Sequence, residues 1–563
     1  AVPLTAGSVV CSSGKGSAGW PFGCGAGFDW RGMDSNRPVS NPIRLQVMAN
    51  ALAGIAEEMG ARLIRGSYSA NIKERRDCST ALFDAQGACI AQAAHIPVHL
   101  GALSEAVRAV VAADPCPGDV FVLNDPYQGG SHLPDVTVVA AIPGWRDPDR
   151  ICAYAVNRAH HADIGGMRPG SMPADSSEIW QEGLVIPPVR LARLSLEGAL
   201  HWQEDLLRLI LANVRNAEQR RGDLQAQVGA NGVGVSRFRE LLARFGEEEA
   251  WQLIAGVIEY SRRRMRAQIQ ALPDGIYTAE DWLEGYGDPP APLEIRVQVE
   301  VEGEKLRVDF TGTAPAMAGN LNAPLAVTRS AVLFALRCLL DPTAPSNVGL
   351  EDPIEIVAPP GCLVNAQFPA AVVAGNVETS QRIADVVFKA LAPVAGLRSI
   401  AQGQGTMNNC VLGNRHFTYY ETLGGGQGAS RQRPGLDGVH VGMSNTLNTP
   451  IEALELEYPL RVLRYELRQD SGGHGQQRGG WGLIRSIQTL QDCTLSLLTE
   501  RRHYAPQGEQ GGGPGQVGIN LLNGDPLPGK ISRSLKAGDV ITLYTPGGGA
   551  WGSNEDEQAP EPR

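Results

Sequence analysis

Apolar residues recur every three or four positions from Ile43 to about Ser67: Leu45, Met48, Leu52, Ile55, Met59 and Leu63. That spacing predicts an amphipathic helix. Short strand-like runs follow at Thr80–Phe83, Val120–Leu123, Val136–Ile142 and Ile151–Val156. Pro143-Gly144 and the polar Arg146–Arg150 separate the last two, which predicts a hairpin. Between 205 and 270 the helical period returns in LLRLILANV, FRELLARF and EEEAWQLIAGVIEY.

A second half begins near Pro273-Asp274-Gly275. Leu293, Ile295, Val297, Val299 and Val301 alternate with polar residues, and EKLRVDF follows. This predicts a second hairpin. Helices are expected at 327–340 and 378–392. Beyond 400 the pattern is short strands between glycine clusters at 424–428, 471–475, 478–482, 511–515 and 546–552. No fixed-period repeat links the clusters. The expected class is α+β, a multi-layer mixed architecture. It divides into 33–270, holding the N-terminal hairpin region and a helical segment, and a β-rich, glycine-rich half at 271–552. Residues 1–32 read as a flexible Gly/Ser-rich extension without a secretory pattern. Residues 553–563 read as a disordered acidic tail.

Composition narrows the function. In 563 residues, 43% are hydrophobic and 19% charged, which is globular rather than disordered. Gly (67) and Pro (38) exceed the usual ~12% share, so many tight turns are expected. A net charge of −11 and 6% aromatics argue against nucleic acid and anionic lipid as partners. No run of about 18 apolar residues exists, so no membrane span is expected. Ten scattered cysteines without a CxxC read as reduced thiols in a cytoplasmic protein.

Two segments imitate phosphate loops. GDPLPGKI (524–531) places Ile531 where Ser or Thr should reach Mg²⁺. Gly513–Gly518 formally fits G-x-G-x-x-G but precedes the strand-like INLL rather than a helix. Neither is expected to bind nucleotide.

The histidines carry more information. Five of the ten fall at 95, 99, 132, 160 and 161. Folding Val136–Ile142 against Ile151–Val156 puts Asp135 opposite Arg158 to His160, with His132 just beyond. Two imidazoles and a carboxylate at a hairpin mouth suit Zn²⁺, Mn²⁺ or Fe²⁺. Hydrogen-bonded loop histidines are one alternative. A Ser131-based triad is another, though no G-x-S-x-G surrounds that serine. Asp77, Glu182, Asn376, Glu378, Asn408 and Asn409 lie in polar or Gly/Pro-flanked segments that suit turns as readily as chemistry.

These segments resemble the hydantoinase B/oxoprolinase family. The resemblance rests on SANIKERRDCSTALFD, LNDPYQGGSHLPDVTVV, NRAHHADIGG, QEGLVIPPVRL, GNVETSQRIADVV, QGTMNN, YYETLGGGQGASRQRPGLDGVHVGMSNTLNTP and TPGGGAWG. It covers about 40 to 552. It implies ATP-dependent opening of a cyclic amide such as a hydantoin, 5-oxoproline or another lactam. An A-type ATP-binding subunit, with ATP and Mg²⁺, would phosphorylate the amide oxygen in an (AB)₂ or larger hetero-oligomer. This chain would bring metal-activated water. The resemblance maps one divalent ion (Mn, Zn or Fe) onto His132, Asp135 and His160, and onto Asp77 from the KER-x-D segment. The 28-residue spacing leaves His161 as the alternative to His160. His161 or Asp163 would orient a ligand imidazole or carry a proton. A ketone carboxylase component and a non-catalytic scaffold are the competing readings.

Overall fold

The computed structural model describes residues 41–93, 95–287 and 289–553. The expectations for 1–32 and for the acidic tail past Ser553 lie outside them. Helix and sheet are mixed throughout, as the sequence pattern predicts.

The first sheet has seven antiparallel strands. They are β1 (Cys78–Asp84), β2 (Cys89–Ala93), β3 (Asp119–Leu123), β4 (Asp135–Pro143), β5 (Ile151–His160), β6 (Val189–Leu194) and β7 (Leu200–Trp202). Their order is β2-β1-β5-β4-β3-β6-β7. Helix α1 (Pro42–Gly66) realises the first apolar stripe. After the short α2 (Ala70–Lys73) comes α3 (Ala102–Ala112). The helical segment is three helices, α4 (Glu204–Ala212), α5 (Ala217–Phe245) and α6 (Glu247–Gln270).

Both faces of this sheet are covered, and strand parity decides which residue faces which layer. Val136, Val138, Ala140, Ala153 and Ala155 share a core with Met48, Met59, Leu224 and Val228 of α1 and α5. Val139, Ala141, Tyr154 and Val156 point the other way, onto Leu103, Ala106 and Val107 of α3. Two-sided burial explains why these strands read as continuous apolar runs instead of alternating.

The expected hairpin is β4–β5, and β5 runs four residues past the predicted end. Its register pairs Asp135 with His160 and Thr137 with Arg158. The second hairpin also forms. Strands β8 (Gly275–Glu284), β9 (Pro292–Glu302), β10 (Lys305–Asp309) and β11 (Ile354–Val357) make a four-stranded sheet in which only β10–β11 is parallel. Helices α7 (Leu325–Leu339) and α8 (Ser380–Ala395) pack with it. Residues 375–379, which immediately precede α8, form a single π-helical turn, so the helix expected from 378 begins at 380. A core running from Ile96, Val98 and Met172 through α7 and α8 to Val411 and Tyr420 joins the two halves.

The glycine clusters interlock. Gly473 donates to the Gly548 carbonyl at 2.9 Å, and Gly548 donates to Gly480 at 2.9 Å. A Cβ on Gly479 would stand 1.8 Å from the Gly548 oxygen, so backbones meet where no side chain fits. The two phosphate-loop look-alikes run into strands at 519–522, 525–527 and 530–535, not into helices. Lys530 is held by the Glu500 carboxylate at 2.6 Å. No helix among the described residues is long and apolar enough to cross a membrane.

Candidate metal centre

The mouth of the β4–β5 hairpin gathers His132, Asp135 and His160. One ligand atom from each lies within 4.8 Å of the others, and all three side chains are buried. Parity explains the choice between neighbouring histidines. His160 follows Tyr154, Val156 and Arg158 on the α3 face, where Asp135 also points. His161 falls on the opposite side, where its Nε2 meets Gln227 Oε1 of α5 at 2.9 Å. Gln227 in turn donates to the Val136 carbonyl and to Asn157.

The ring nitrogens decide what this cluster can hold. Both nitrogens of His132 and Nε2 of His160 are buried without a hydrogen-bond partner. His132 Nε2 lies 3.3 Å from Asp135 Oδ1, outside hydrogen-bond geometry. Orphaned buried polar atoms are rare because each costs about 1–3 kcal/mol. Burial, followed by the neighbouring His132, pushes the His160 imidazole well below its usual range. It is therefore neutral, the form that ligates. Burial alone would raise the Asp135 carboxyl, but His132 and His99 outweigh it and hold it ionised. Two imidazole nitrogens and a carboxylate suit Zn²⁺, Mn²⁺ or Fe²⁺.

Several partners fix the three side chains. Ser131 Oγ donates to Asp135 Oδ2, and His99 Nε2 stands 3.3 Å from the same oxygen. His99 Nδ1 is 2.9 Å from Ser79 Oγ on β1. The Asn71 carboxamide sits 3.2 Å from His160 Nδ1, occupying that nitrogen. The Tyr420 ring stacks on His160 at 4.6 Å and 9°. Its hydroxyl donates to Asn409 Oδ1, and Asn409 Nδ2 donates to Glu378 Oε1. Arg75 covers the other side of Tyr420, 4.6 Å from the ring centre.

Asp77 lines the cavity beside the cluster, and its backbone oxygen accepts from His160 N at 3.0 Å. Its carboxylate stands outside the ligand set. Burial raises the Asp77 carboxyl despite Arg75 nearby. Asp163 is occupied elsewhere. Its two oxygens take the backbone N–H groups of Gly165, Gly170 and Arg215 and the Arg215 guanidinium. Neither His161 nor Asp163 hydrogen-bonds to a member of the cluster. Glu182 accepts from Val372 N, Val373 N and Ser176, and burial lifts its carboxyl to about 7.

Asn71 and Tyr420 are the centre's residues that sequence reasoning does not single out, and His99 is counted there only as one of five clustered histidines. His99 belongs to the histidine cluster, but nothing local ties it to Asp135. Tyr420 lies in a matching motif yet reaches His160 only through the tertiary fold.

A buried cluster of two imidazoles and one carboxylate at the mouth of a two-sided sheet is a candidate metal centre. The chain belongs to the hydantoinase B/oxoprolinase family, whose model matches residues 41–554. It is 41% identical over 521 residues to an uncharacterized protein of Methanocaldococcus jannaschii, covering 91% of this chain and 90% of that one. It is 37% identical to 5-oxoprolinase 1 of Arabidopsis thaliana, spanning 92% of this chain but only 42% of that protein. The putative B component of a D-/L-hydantoinase from Pseudomonas sp. is 35% identical, with 92% and 91% covered. Among solved structures, the ATP-dependent caprolactamase from Pseudomonas jessenii superposes with a TM-score of 0.84 at 29% identity, covering 92% of each chain. Acetone carboxylase shares the fold, with a TM-score of 0.82 at 18% identity over 91% of this chain and 76% of that one.

Proposed function

We propose that this chain is the ring-opening component of an ATP-dependent cyclic amide hydrolase. The observation that carries the reading is the unpaired ring nitrogens of His132 and His160 beside an ionised, buried Asp135. Family membership supplies the reaction class. In this reading an A-type ATP-binding subunit activates the ring oxygen, because a lactam is a poor electrophile. The Pseudomonas relative is named as one component of a multi-subunit hydantoinase, which supports such a partner.

His132, Asp135 and His160 would hold one divalent ion, which when bound supplies Lewis acidity and acidifies water toward neutral pH. The rest is done by this chain. Asp135 offsets positive charge in a water-poor site. Ser131 and His99 hydrogen-bond to its carboxylate and fix its angle, which keeps a ligand oxygen aimed at one point. Asn71 Nδ2 stands 3.2 Å from His160 Nδ1. With His160 Nε2 committed to an ion, Nδ1 would carry the ring proton and the Asn71 carboxamide would turn its oxygen to accept it. Tyr420 prevents the imidazole from rotating. Asp77 lines the cavity as a carboxyl able to exchange a proton with water there. His161 and Asp163 act as positioning residues, one through α5 and the other through the 163–171 loop.

The test pairs elemental analysis of the purified chain with assays on the reconstituted two-subunit complex. About one Mn, Zn or Fe per chain is expected. His160→Ala should lower ring opening by orders of magnitude while substrate-dependent phosphate release by the partner persists in part. Full ring opening by His160→Ala, or no metal uptake by the wild type, would overturn the reading. The fold likeness to acetone carboxylase favours a second reading, ATP-driven carboxylation. Bicarbonate-dependent product formation from a ketone would select it.

A further inference from the structure

A cavity of about 20 Å³ adjoins the candidate ligands. That is room for about one water. Among the residues that line it are Asp77, Asp135 and His160, at the hairpin mouth, and Asn376, from the turn before α8. Asn376 is 3% exposed, and its Oδ1 has no hydrogen-bond partner. A buried acceptor left unpaired calls for a ligand with a proton to donate.

The backbone around Asn376 is held unusually tightly. It lies in the π-turn Gly375–Thr379, and such single turns recur at functional sites. Gly375 donates to the Asn320 carbonyl at 3.0 Å, and a Cβ there would stand 1.9 Å from the Asn322 oxygen. The Ser380 hydroxyl donates to the Asn376 carbonyl at 2.6 Å, and Thr379 donates to the Leu321 carbonyl. Two residues on, Glu378 reaches His160 through Asn409 and Tyr420. One turn thus braces a candidate ligand and brings a residue with a buried, unpaired acceptor to the wall of the same cavity.

We propose that Asn376 holds the attacking water. Its Oδ1 accepts one hydrogen of a water seated among Asp77, Asp135 and His160, which turns an oxygen lone pair toward the ring carbonyl. No bond is made or broken at Asn376, and it neither gives nor takes a proton. The proposal rests on the ring-opening reading above.

The experiment uses two readouts. In the first, the full chain is loaded with Mn²⁺ and water-proton relaxation is measured without substrate or partner. In the second, kcat and KM for ring opening are measured on the reconstituted complex. Asn376→Leu should load Mn²⁺ as the wild type does, yet lose the relaxation enhancement of an exchangeable water. It should also lower kcat roughly 100-fold with KM unchanged, the size of a misplaced reactant. Asn376→Asp keeps an acceptor and should restore both in large part. Where Asn376→Leu does not fold, Asn376→Ala decides through kcat. Wild-type relaxation and kcat in Asn376→Leu or Asn376→Ala would overturn the proposal and leave the metal reading standing. A wild-type chain that takes up no Mn²⁺ overturns the ring-opening reading itself.

Discussion

Asp135 and Asp163 are both buried aspartates of the same hairpin mouth, and they are built for opposite purposes. Asp163 is saturated, with three backbone N–H groups and a guanidinium on its two oxygens. Everything it offers is spent on holding the 163–171 loop against Arg215. Asp135 faces imidazoles and one serine hydroxyl, and the rings beside it keep open nitrogens. A buried carboxylate that satisfies its neighbours is structural. One surrounded by neighbours that remain unsatisfied marks a place for a ligand.

The largest expected effect tests that contrast. Asp135→Ala should weaken divalent metal binding well beyond the roughly 10–100-fold typical of changes to groups that only support a ligand. Competition against a chromophoric chelator measures it. Asp163→Ala should instead cost about 3–5 kcal/mol of stability by leaving the part-buried Arg215 without its counter-charge. Chemical denaturation of the apoprotein measures that, and the folded fraction should keep its metal affinity. If Asp163→Ala loses metal and keeps stability, the comparison is reversed.

A smaller effect sharpens the Asp135 side. His99→Ala removes a group that steers Asp135 without joining the ligand set. Metal affinity should fall roughly 10–100-fold. An unchanged affinity would make Ser131 sufficient by itself.

The smallest effect concerns pH. His440 is part-buried, its Nδ1 2.7 Å from the Oγ of Ser444, which lines the cavity, and desolvation, then Arg75, lowers its pKa from 6.5 to about 4. Other titratable groups near that wall are Asp77, His99, Asp135, His160 and Tyr420, which line the cavity with Ser444 and Thr446. Folding keeps His440 neutral, so the unfolded chain binds the extra proton. Its contribution is complete above pH 6.5 and is lost as pH falls toward 4, at about 1.4 kcal/mol per pH unit. As the pH falls across that window, the wild type should lose stability relative to His440→Gln in denaturation curves. Parallel curves would exclude His440 as a source of acid sensitivity.

The hairpin half of the centre is legible in the sequence because its geometry is local. Strand period and turn residues put Asp135 opposite Arg158 to His160, but they leave His160 and His161 both open; the register of the folded hairpin separates the two by parity. The resemblance adds the family and the reaction class. What stays hidden arrives from distant segments. His99 reaches Asp135 from a 3₁₀ turn at Pro97–His99, and no pattern between them encodes that approach. Tyr420 and Asn376 meet the cavity only after the strand at 418–421 and the turn before α8 have docked. GNVETS reads as the start of a helix. It opens into a π-turn because Gly375 is pressed against the Asn322 backbone, a contact that no local propensity can announce. Helix α3 carries its apolar spacing at Leu103, Ala106, Val107 and Val110, but so short an alanine-rich stretch is settled by the sheet it covers.

The pairing of Asp135 with His160 has a consequence for how such chains can vary. The site is addressed from the open end of the ribbon, not along the chain. Residues added or removed around Gly144–Arg150, at the far end, change the count between His132 and His160 without moving either. A slip of one residue at the near end would exchange the two neighbouring imidazoles between opposite layers. Sequence distance between the ligands is therefore free to drift, whereas the pairing at the mouth is not. When related chains are aligned here, the gap length carries no information and the odd-or-even step beside Asp135 carries all of it.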